Sequence, residues 1–288
     1  MDLRQLEYLV AIDDCGTFTA AAAKLHVAQP SLSHAIRRLE HELGVELFAR
    51  LGRSVAPTEA GREVIDSARQ VLRDMADVRA AAAAATTLVR GTLDLTALPT
   101  LAVDPLAGLI GRFRSEHEGV TIQVHEPETT AEVEATVRSG RAELGFTDIT
   151  TGGRGLVRIA LSRQDVVVVS PPGRADAATA VTPSMLASIP LVVTPVGTST
   201  RRLLDMTLSR GGYEPDIAVE IGHREAIVAL VLAGAGSSLL PRPLAIEAAA
   251  RGAIVRELKP VLTRRVGILH RRGRLSPAAL AMISMARS

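Results

Sequence analysis

The amino-acid sequence predicts an all-α N-terminal unit that ends in a short two-stranded wing and a long helix, followed by a larger α/β unit. Three observations carry that expectation. Apolar residues recur at helical spacing from Leu3 to Leu43, a heptad-like stripe runs from Val64 to Ala82, and beyond Leu93 short apolar runs alternate with helical patterns. A chain of 288 residues holds a small domain and a second one of about 200 residues, each with its own core.

Composition narrows the class. Hydrophobic residues make up 47% and charged residues 22%, a globular balance rather than a disordered one. With no Trp, two Tyr and four Phe, the cores are built from Leu, Val, Ile and Ala, and aromatic stacking cages are disfavoured. The single Cys15 excludes an intrachain disulfide or a multi-cysteine metal site and is expected to be small buried filler. The seven histidines have no metal-ligand spacing, so neither a metal nor a cofactor is expected. Asp2 and Arg4 stand where a cationic leader would begin, and the apolar run Tyr8 to Ile12 is too short for a signal-peptide core. No stretch approaches the roughly 18 apolar residues of a membrane helix. A soluble cytoplasmic protein is expected.

The N-terminal elements follow in order. Leu3, Leu6, Leu9, Val10 and Ile12 give an opening helix that ends near Cys15-Gly16. Thr17 is placed to cap an alanine-rich helix from Phe18 to Leu25. His26-Val27-Ala28 forms a tight turn, and a third helix runs from Pro30 to Leu43, with Pro30 at its first position and Gly44 ending it in a left-handed conformation. Leu32, Ala35, Ile36, Leu39 and Leu43 line one face, which leaves Ser31, Ser33, His34, Arg37 and Arg38 on others. Such a helix, behind a short helix and a turn, can enter a major groove, where small hydroxyls approach base edges and arginines reach guanines or phosphates. Arg38 also has a plainer alternative, an ion pair with Glu42 one turn on. Val45 to Arg50 and Ser54 to Ala56 are expected as two strands around Leu51-Gly52-Arg53.

Net charge gives little help. It is +2, and across residues 1–58 acids and bases nearly cancel, while the basic excess lies in Arg251, Arg256, Lys259, Arg264, Arg265, Arg271, Arg272 and Arg274. DNA binding must rest on local arrangement. That arrangement, LRQLEYLVAI…GTFTAAAAKLHVAQPSLSHAIRRLEHELGVELFAR…PTEAG, resembles without gaps the winged helix-turn-helix of LysR-type transcriptional regulators. The resemblance implies double-stranded DNA as partner, with base or phosphate contact by Gln29, Pro30, Ser31, Ser33, His34 and Arg37, and Arg50 and Arg53 on the wing. Ala56-Pro57 departs from the family pattern, in which many relatives have a leucine before the Thr.

Thr58 caps a long helix continuing to about Thr87. Val64, Ala68, Val71, Met75, Val78 and Ala82 follow spacings of four, three, four, three and four, a coiled-coil seam widened by Ile65, Leu72 and Ala76. A partner helix is implied, with packing on the chain's own second domain as the alternative; the resemblance implies a homodimer or homotetramer joined here. Thr86 to Gly91 is expected to be a hinge.

Beyond it, strands are expected at Leu93–Leu98, Val120–Val124, Leu144–Phe146, Val166–Val169, Leu191–Val193, Ile217–Val219, Ser237–Leu240 and Val266–Leu269, with helices marked by Leu106/Leu109/Ile110/Phe113, Val133/Val137 and Leu203/Leu204/Leu208. The alternation points to parallel sheets. The resemblance extends here to the family's two-lobed effector domain, which is similar to type 2 periplasmic binding proteins. It implies chain crossings near 160–165 and 260–267 and a small-molecule effector, of unreadable identity, between the lobes. The expected division is a winged helix-turn-helix over 1–58, a linker over 59–90 and an effector domain over 91–288, with lobe I as 91–161 and 268–288 and lobe II as 162–267.

Ligands of open α/β sheets sit beyond strand carboxyl ends, where helix N-termini offer free N–H groups. Thr100 and the stretch Thr198, Ser199, Thr200 and Arg201 follow strands and open helices, so hydroxyls and amides there could hold a small anion with Arg201 as charge partner. Thr147 and His223 are positional candidates of lower rank; each Ser or Thr could equally be a cap. Gly234-Ala235-Gly236 is not a dinucleotide loop, because it follows a helix and leads into a strand. No local signature pairs a nucleophile with a base, so an enzyme ranks below a transport-type binding protein, and both rank below a regulator.

Overall fold

The computed structural model describes residues 1–51, 54–84, 91–150, 152–173 and 180–288. Helix α1 (Leu3–Cys15) opens on a capping box in which the Asp2 carboxylate accepts the Gln5 N–H at 2.8 Å and Gln5 Oε1 accepts the Asp2 N–H at 2.9 Å. Helix α2 (Phe18–Lys24) starts as expected at Thr17, whose hydroxyl accepts the Ala20 N–H at 3.1 Å. His26, at φ 53°, turns the chain into α3 (Gln29–Leu43), which ends at left-handed Gly44. Leu9, Ile12, Leu32, Ile36, Leu39 and Leu47 lock the three helices around one core.

Strands β1 (Phe48–Leu51) and β2 (Ser54–Pro57) form the antiparallel wing. The first strand begins three residues later than Val45, because Val45 still belongs to the helix end: its N–H donates to the Glu40 carbonyl at 3.2 Å. The wing tip, Gly52 and Arg53, lies outside the described residues, as do 85–90, where the linker's last turn and hinge were expected.

Helix α4 (Glu59–Ala84) is capped by the Thr58 hydroxyl, which accepts the Gly61 N–H at 2.9 Å. Gly61 lies against the wing domain so closely that a Cβ there would stand 2.0 Å from the Leu47 carbonyl oxygen. Ile65 and Ala68 enter the N-terminal core, with Val64 and Leu72 packed against it. This corrects the expected partner seam: Val64 and Ala68 are engaged inside their own domain. Farther along, Met75 is half-buried, whereas Val71 and Val78 are 41% and 64% exposed.

The remainder contains β3 (Gly91–Ala97), α5 (Pro99–Leu101), which a kink at the extended Asp104 separates from α6 (Ala107–Glu116), β4 (Val120–His125), α7 (Thr130–Arg138) and β5 (Leu144–Asp148). Then follow β6 (Leu156–Ser170), β7 (Ala180–Val181), α8 (Pro183–Ala187), β8 (Leu191–Val193), α9 (Ser199–Ser209), β9 (Ile217–Glu220) and α10 (Glu225–Leu232). The chain ends with β10 (Ser238–Pro241), α11 (Arg242–Ala250), β11 (Ile254–Leu258), β12 (Leu262–Arg271) and α12 (Pro277–Arg287). Lobe I packs around Leu93, Leu95, Phe113, Phe146, Ile268 and Met282. Lobe II packs on both faces of β6, with Val166 and Val168 in one cluster and Val167 and Val169 in the other.

The sheets are mixed, not simply parallel. Strand β3 pairs parallel with β4 and β5, and β8 with β9, but β12 pairs antiparallel with both β5 and β6. The reason is topological: β6 carries the chain from lobe I to lobe II and β12 brings it back alongside. Their ladder runs from Leu262 opposite Val166 to Arg271 opposite Leu156, with a bulge between Val266 and Gly267. A Cβ on Gly267 would stand 2.5 Å from the Ile159 carbonyl oxygen.

The three parts meet at Asp13 of α1. Arg69 of α4 donates to Asp13 at 2.8 Å and also to Asp14, while Arg141 of lobe I donates to Asp13 at 2.6 Å. Arg73 of α4 donates in turn to the Gly140 carbonyl. Burial raises the Asp13 pKa, but the bonds and charges of Arg141 and Arg69 outweigh it and hold the carboxyl below its usual value. A carboxyl with a depressed folded pKa adds stability above its unfolded pKa and loses it as pH falls through the folded one. Asp13→Asn is therefore expected to lower the melting temperature at neutral pH and to flatten the acid limb of stability. The cost is a fraction of the about 3–5 kcal/mol of a fully buried broken pair, because Arg141 is half exposed. Calorimetry from neutrality to about pH 3 decides; an unchanged acid slope in the variant rejects the contact.

Candidate functional site

Two sites emerge, one on α3 and one between the lobes. On α3, Leu32, Ile36 and Leu39 face the core, which turns Gln29, Pro30, Ser31, His34, Arg37 and Arg38 to solvent, with Ser33 half-buried. The helix has Pro30 in its first turn and no side-chain cap, so its first N–H groups stay open. Gln29 Nε2 donates to Ser33 Oγ at 2.7 Å and Arg37 Nε to the Ser33 carbonyl at 3.4 Å, which orders this edge without covering it. The alternative for Arg38 is not realised: Glu42 instead accepts the N-terminal ammonium at 2.6 Å, and Arg38 has no ion pair among the described residues. Arg53 lies outside the described residues, and only the backbone of Arg50 is described.

Between the lobes, a cavity of about 250 Å³ is walled by Thr130, Asp148 and Thr150 of lobe I, by Ser199, Arg202 and Leu203 among others of lobe II, and by Leu262 and Thr263 of the returning hinge strand. Thr147 is fully buried at the end of β5 and donates to Thr130 Oγ1 at 3.1 Å. Ser199, buried at the first position of α9, has no hydrogen-bond partner for its hydroxyl among the described residues. Arg224 spans the lobes: it donates to Glu128 Oε2 at 3.1 Å through Nε and to Thr200 Oγ1 at 3.2 Å through Nη1.

Three expected site residues are corrected. Arg201 is no free charge partner, since it donates to Asp205 at 2.9 Å, to Glu220 at 3.0 Å and to the Thr194 carbonyl at 3.3 Å. Burial weakens its hold on the proton, but those two carboxylates more than compensate and raise its pKa. Thr198 is turned into its own loop, sharing a 2.6 Å hydrogen bond with the Thr194 hydroxyl and donating to the Pro195 carbonyl at 2.9 Å. His223, its side chain 78% exposed, contacts Glu225 and points to solvent. Thr100 is held in place from the hinge: its Oγ1 accepts from Arg264 Nη1 at 3.0 Å.

Sequence reasoning passed over Arg264, Gln164, Arg224 and Glu128. Arg264 was counted only within the C-terminal basic excess. Its location inside the expected crossing 260–267 was the available signal, because a polar residue on a hinge strand faces either the cleft or the opposite strand.

Known proteins agree with this architecture. Residues 3–62 match the model of the bacterial regulatory helix-turn-helix proteins of the lysR family, and residues 86–288 match that of the LysR substrate binding domain. The RuBisCO operon transcriptional regulator of Allochromatium vinosum is 28% identical over 284 residues, 97% of this chain and 93% of its own length. The HTH-type transcriptional activator IlvY of Salmonella typhimurium is 30% identical over 245 residues, 84% of this chain and 82% of its own. Among solved structures, a full-length OxyR variant from Pseudomonas aeruginosa superposes with a TM-score of 0.76 at 23% identity, covering 99% of this chain and 93% of that one. CbnR complexed with its target DNA superposes with a TM-score of 0.65 at 22% identity, covering 100% of this chain and 99% of that one. Both segment matches fall in the order that the fold requires, and the chain belongs to the LysR family of transcriptional regulators.

Proposed function

We propose that this regulator reads operator DNA through Gln29, Pro30, Ser31, Ser33, His34, Arg37 and Arg38, with Arg50 and Arg53 of the wing on the backbone or minor groove. The effector is taken up between the lobes, against Thr100, Thr147, Ser199 and Thr200. It needs no metal or other cofactor and undergoes no turnover, and the protein works in the cytoplasm. Two copies joined along the outer half of α4 bring two recognition helices to two half-sites, which multiplies modest single contacts. An effector that binds one lobe arrangement better than another biases the assembly by that difference in affinity.

The observation that supports this reading most is the hydroxyl-and-arginine face of α3, uncovered and backed by a rigid core. Fluorescence anisotropy at fixed salt, with intergenic DNA beside the gene against a scrambled fragment, tests it. The native fragment is expected to bind more tightly, and the Arg37→Ala and Ser33→Ala double variant to lose about 1–3 kcal/mol per base contact removed. Equal affinity for both fragments, unaltered in the double variant, would overturn the reading.

The dimer is tested separately. Half-buried Met75 lies between the exposed Val71 and Val78 on α4, outside the apolar core of its own domain. A charge at Met75 is costly in an apolar seam, so Met75→Asp is expected to shift the solution mass toward the monomer in light scattering. An unchanged mass would move the interface elsewhere.

A further inference from the structure

Buried charges in proteins are paired, because an unpaired ion keeps its desolvation cost without an attraction to offset it. Arg69 has Asp13 and Asp14, and Arg201 has Asp205 and Glu220. Arg264 is different. It is 1% exposed and belongs to β12 opposite Gln164 of β6, at the point where the chain crosses between lobes. Its partners are neutral: Nε donates to Gln164 Oε1 at 2.8 Å, Nη2 donates to the same oxygen, and Nη1 donates to Thr100 Oγ1 at 3.0 Å.

Among the described residues Arg264 makes no ion pair. The acids whose fields reach it, Asp148 and Asp104, are held by other groups: Asp148 accepts from the Thr150 N–H at 2.8 Å and Asp104 from Gln164 Nε2 at 2.7 Å. Three of the five N–H donors that a guanidinium carries are used, which leaves two with no acceptor among the described residues. Burial, helped by repulsion from Arg224 and opposed by Asp148 and Asp104, lowers the Arg264 pKa to about 10, so the group stays charged at neutral pH. On the facing lobe the buried Ser199 hydroxyl also lacks a partner among the described residues.

We propose that the effector is a small oxyanion, such as a carboxylate, sulfate or phosphate, whose charged end docks on the Arg264 guanidinium beside Thr100. This rests on the cleft being the effector site. The anion supplies the missing counter-charge and takes the two open N–H groups, a charge-assisted and forked contact. Because Arg264 is enclosed, the anion reaches it when the Glu128–Arg224 bridge between the lobes parts. Ser199 then offers its hydroxyl to the part of the ligand that faces lobe II. Arg201, whose charge is already matched by Asp205 and Glu220 of its own lobe, takes no part.

The test uses the full chain in thermal-shift measurements with acetate, succinate, citrate, benzoate, sulfate and phosphate at about 10 mM, a level at which millimolar binding stabilises measurably. Acetamide, succinamide and benzamide are the neutral counterparts. At least one anion is expected to raise the wild-type melting temperature while its amide does not. Arg264→Gln should abolish that shift and weaken affinity by about tenfold or more in titration calorimetry. Arg264→Lys, which keeps the charge without the fork, should retain part of it if the Gln variant does not fold. Arg73→Gln should leave the shift intact, which separates the cleft from the arginine-lined cavity between α4 and lobe I.

The proposal is overturned if no anion stabilises the wild type, if the amides act equally, or if the shift survives Arg264→Gln. Operator anisotropy run in parallel keeps the two readings apart. Sequence-specific DNA binding without an anion response overturns this inference alone, whereas an anion response without sequence-specific binding overturns the regulator reading alone.

Discussion

The antiparallel ladder between β6 and β12 is the constraint on which the rest of the effector domain depends. Each strand is anchored in both lobes: Val166 to Val169 belong to the lobe II cores, while Ile268, with Ile159 packed beside it, belongs to the lobe I core. The ends of the ladder are therefore fixed by apolar burial. The middle is where the ladder slips register at Gly267 and where polar residues replace valines, with Gln164 opposite Arg264. A bulge relaxes the pairing locally and lets a strand bend without losing the flanking bonds. The bulge and the buried Arg264–Gln164 contact thus fall within the same few residues of the ladder.

The N-terminal unit is fastened to this domain in a different way. Helix α4 is embedded in the wing domain through apolar contacts at Ile65 and Ala68 and the close approach at Gly61, a connection that does not come apart without unfolding. The connection of the N-terminal unit to lobe I is polar, made by Arg141 to Asp13 of α1 and by Arg73 of α4 to the Gly140 carbonyl. Partly exposed ion pairs are worth little and are screened by salt. Helices α3 and α4 accordingly form one packed unit, and the polar seam against lobe I is the weaker of its attachments. A regulator requires such an arrangement: a rigid reader, and a weak joint that a sensing domain can bias with the modest energy of one ligand.

Much of this was legible in the sequence where local chemistry decides. The Thr17 cap, the Gly44 stop and the apolar stripe of α3 follow from rules that act within one or two turns, and the helices formed where those rules put them. The exposed face of α3 followed for the same reason. What stayed hidden depended on distant partners. Strand β6 is 15 residues long, but Arg163, Gln164 and Asp165 broke its apolar run, so only Val166–Val169 was visible. Strand β11 carries Arg256 and Glu257 in its short span and was missed outright. The antiparallel pairing of β12 could not be read from alternation, which reports faces and not directions. In the seam of α4, a spacing of four and three identifies an apolar stripe but cannot distinguish a partner helix from the chain's own core, and Val64 and Ala68 turned out to belong to the latter.

The arginines make the general point. Arg38 is exposed and unpaired among the described residues, Arg69 and Arg201 are buried and matched by carboxylates, and Arg264 is buried with only neutral hydrogen-bond partners among the described residues. In a count of charges the four are identical. Their energetic states are not: an exposed guanidinium keeps its hydration and is free to meet a phosphate, a matched one is part of the scaffold, and a buried unmatched one leaves an electrostatic deficit that an anion can relieve. What separates these arginines physically is therefore which charges are left uncompensated, and where, rather than how many there are. Arg38 on α3 and Arg264 on β12 are both without an ion pair among the described residues, one facing solvent and one enclosed where the chain crosses between the lobes.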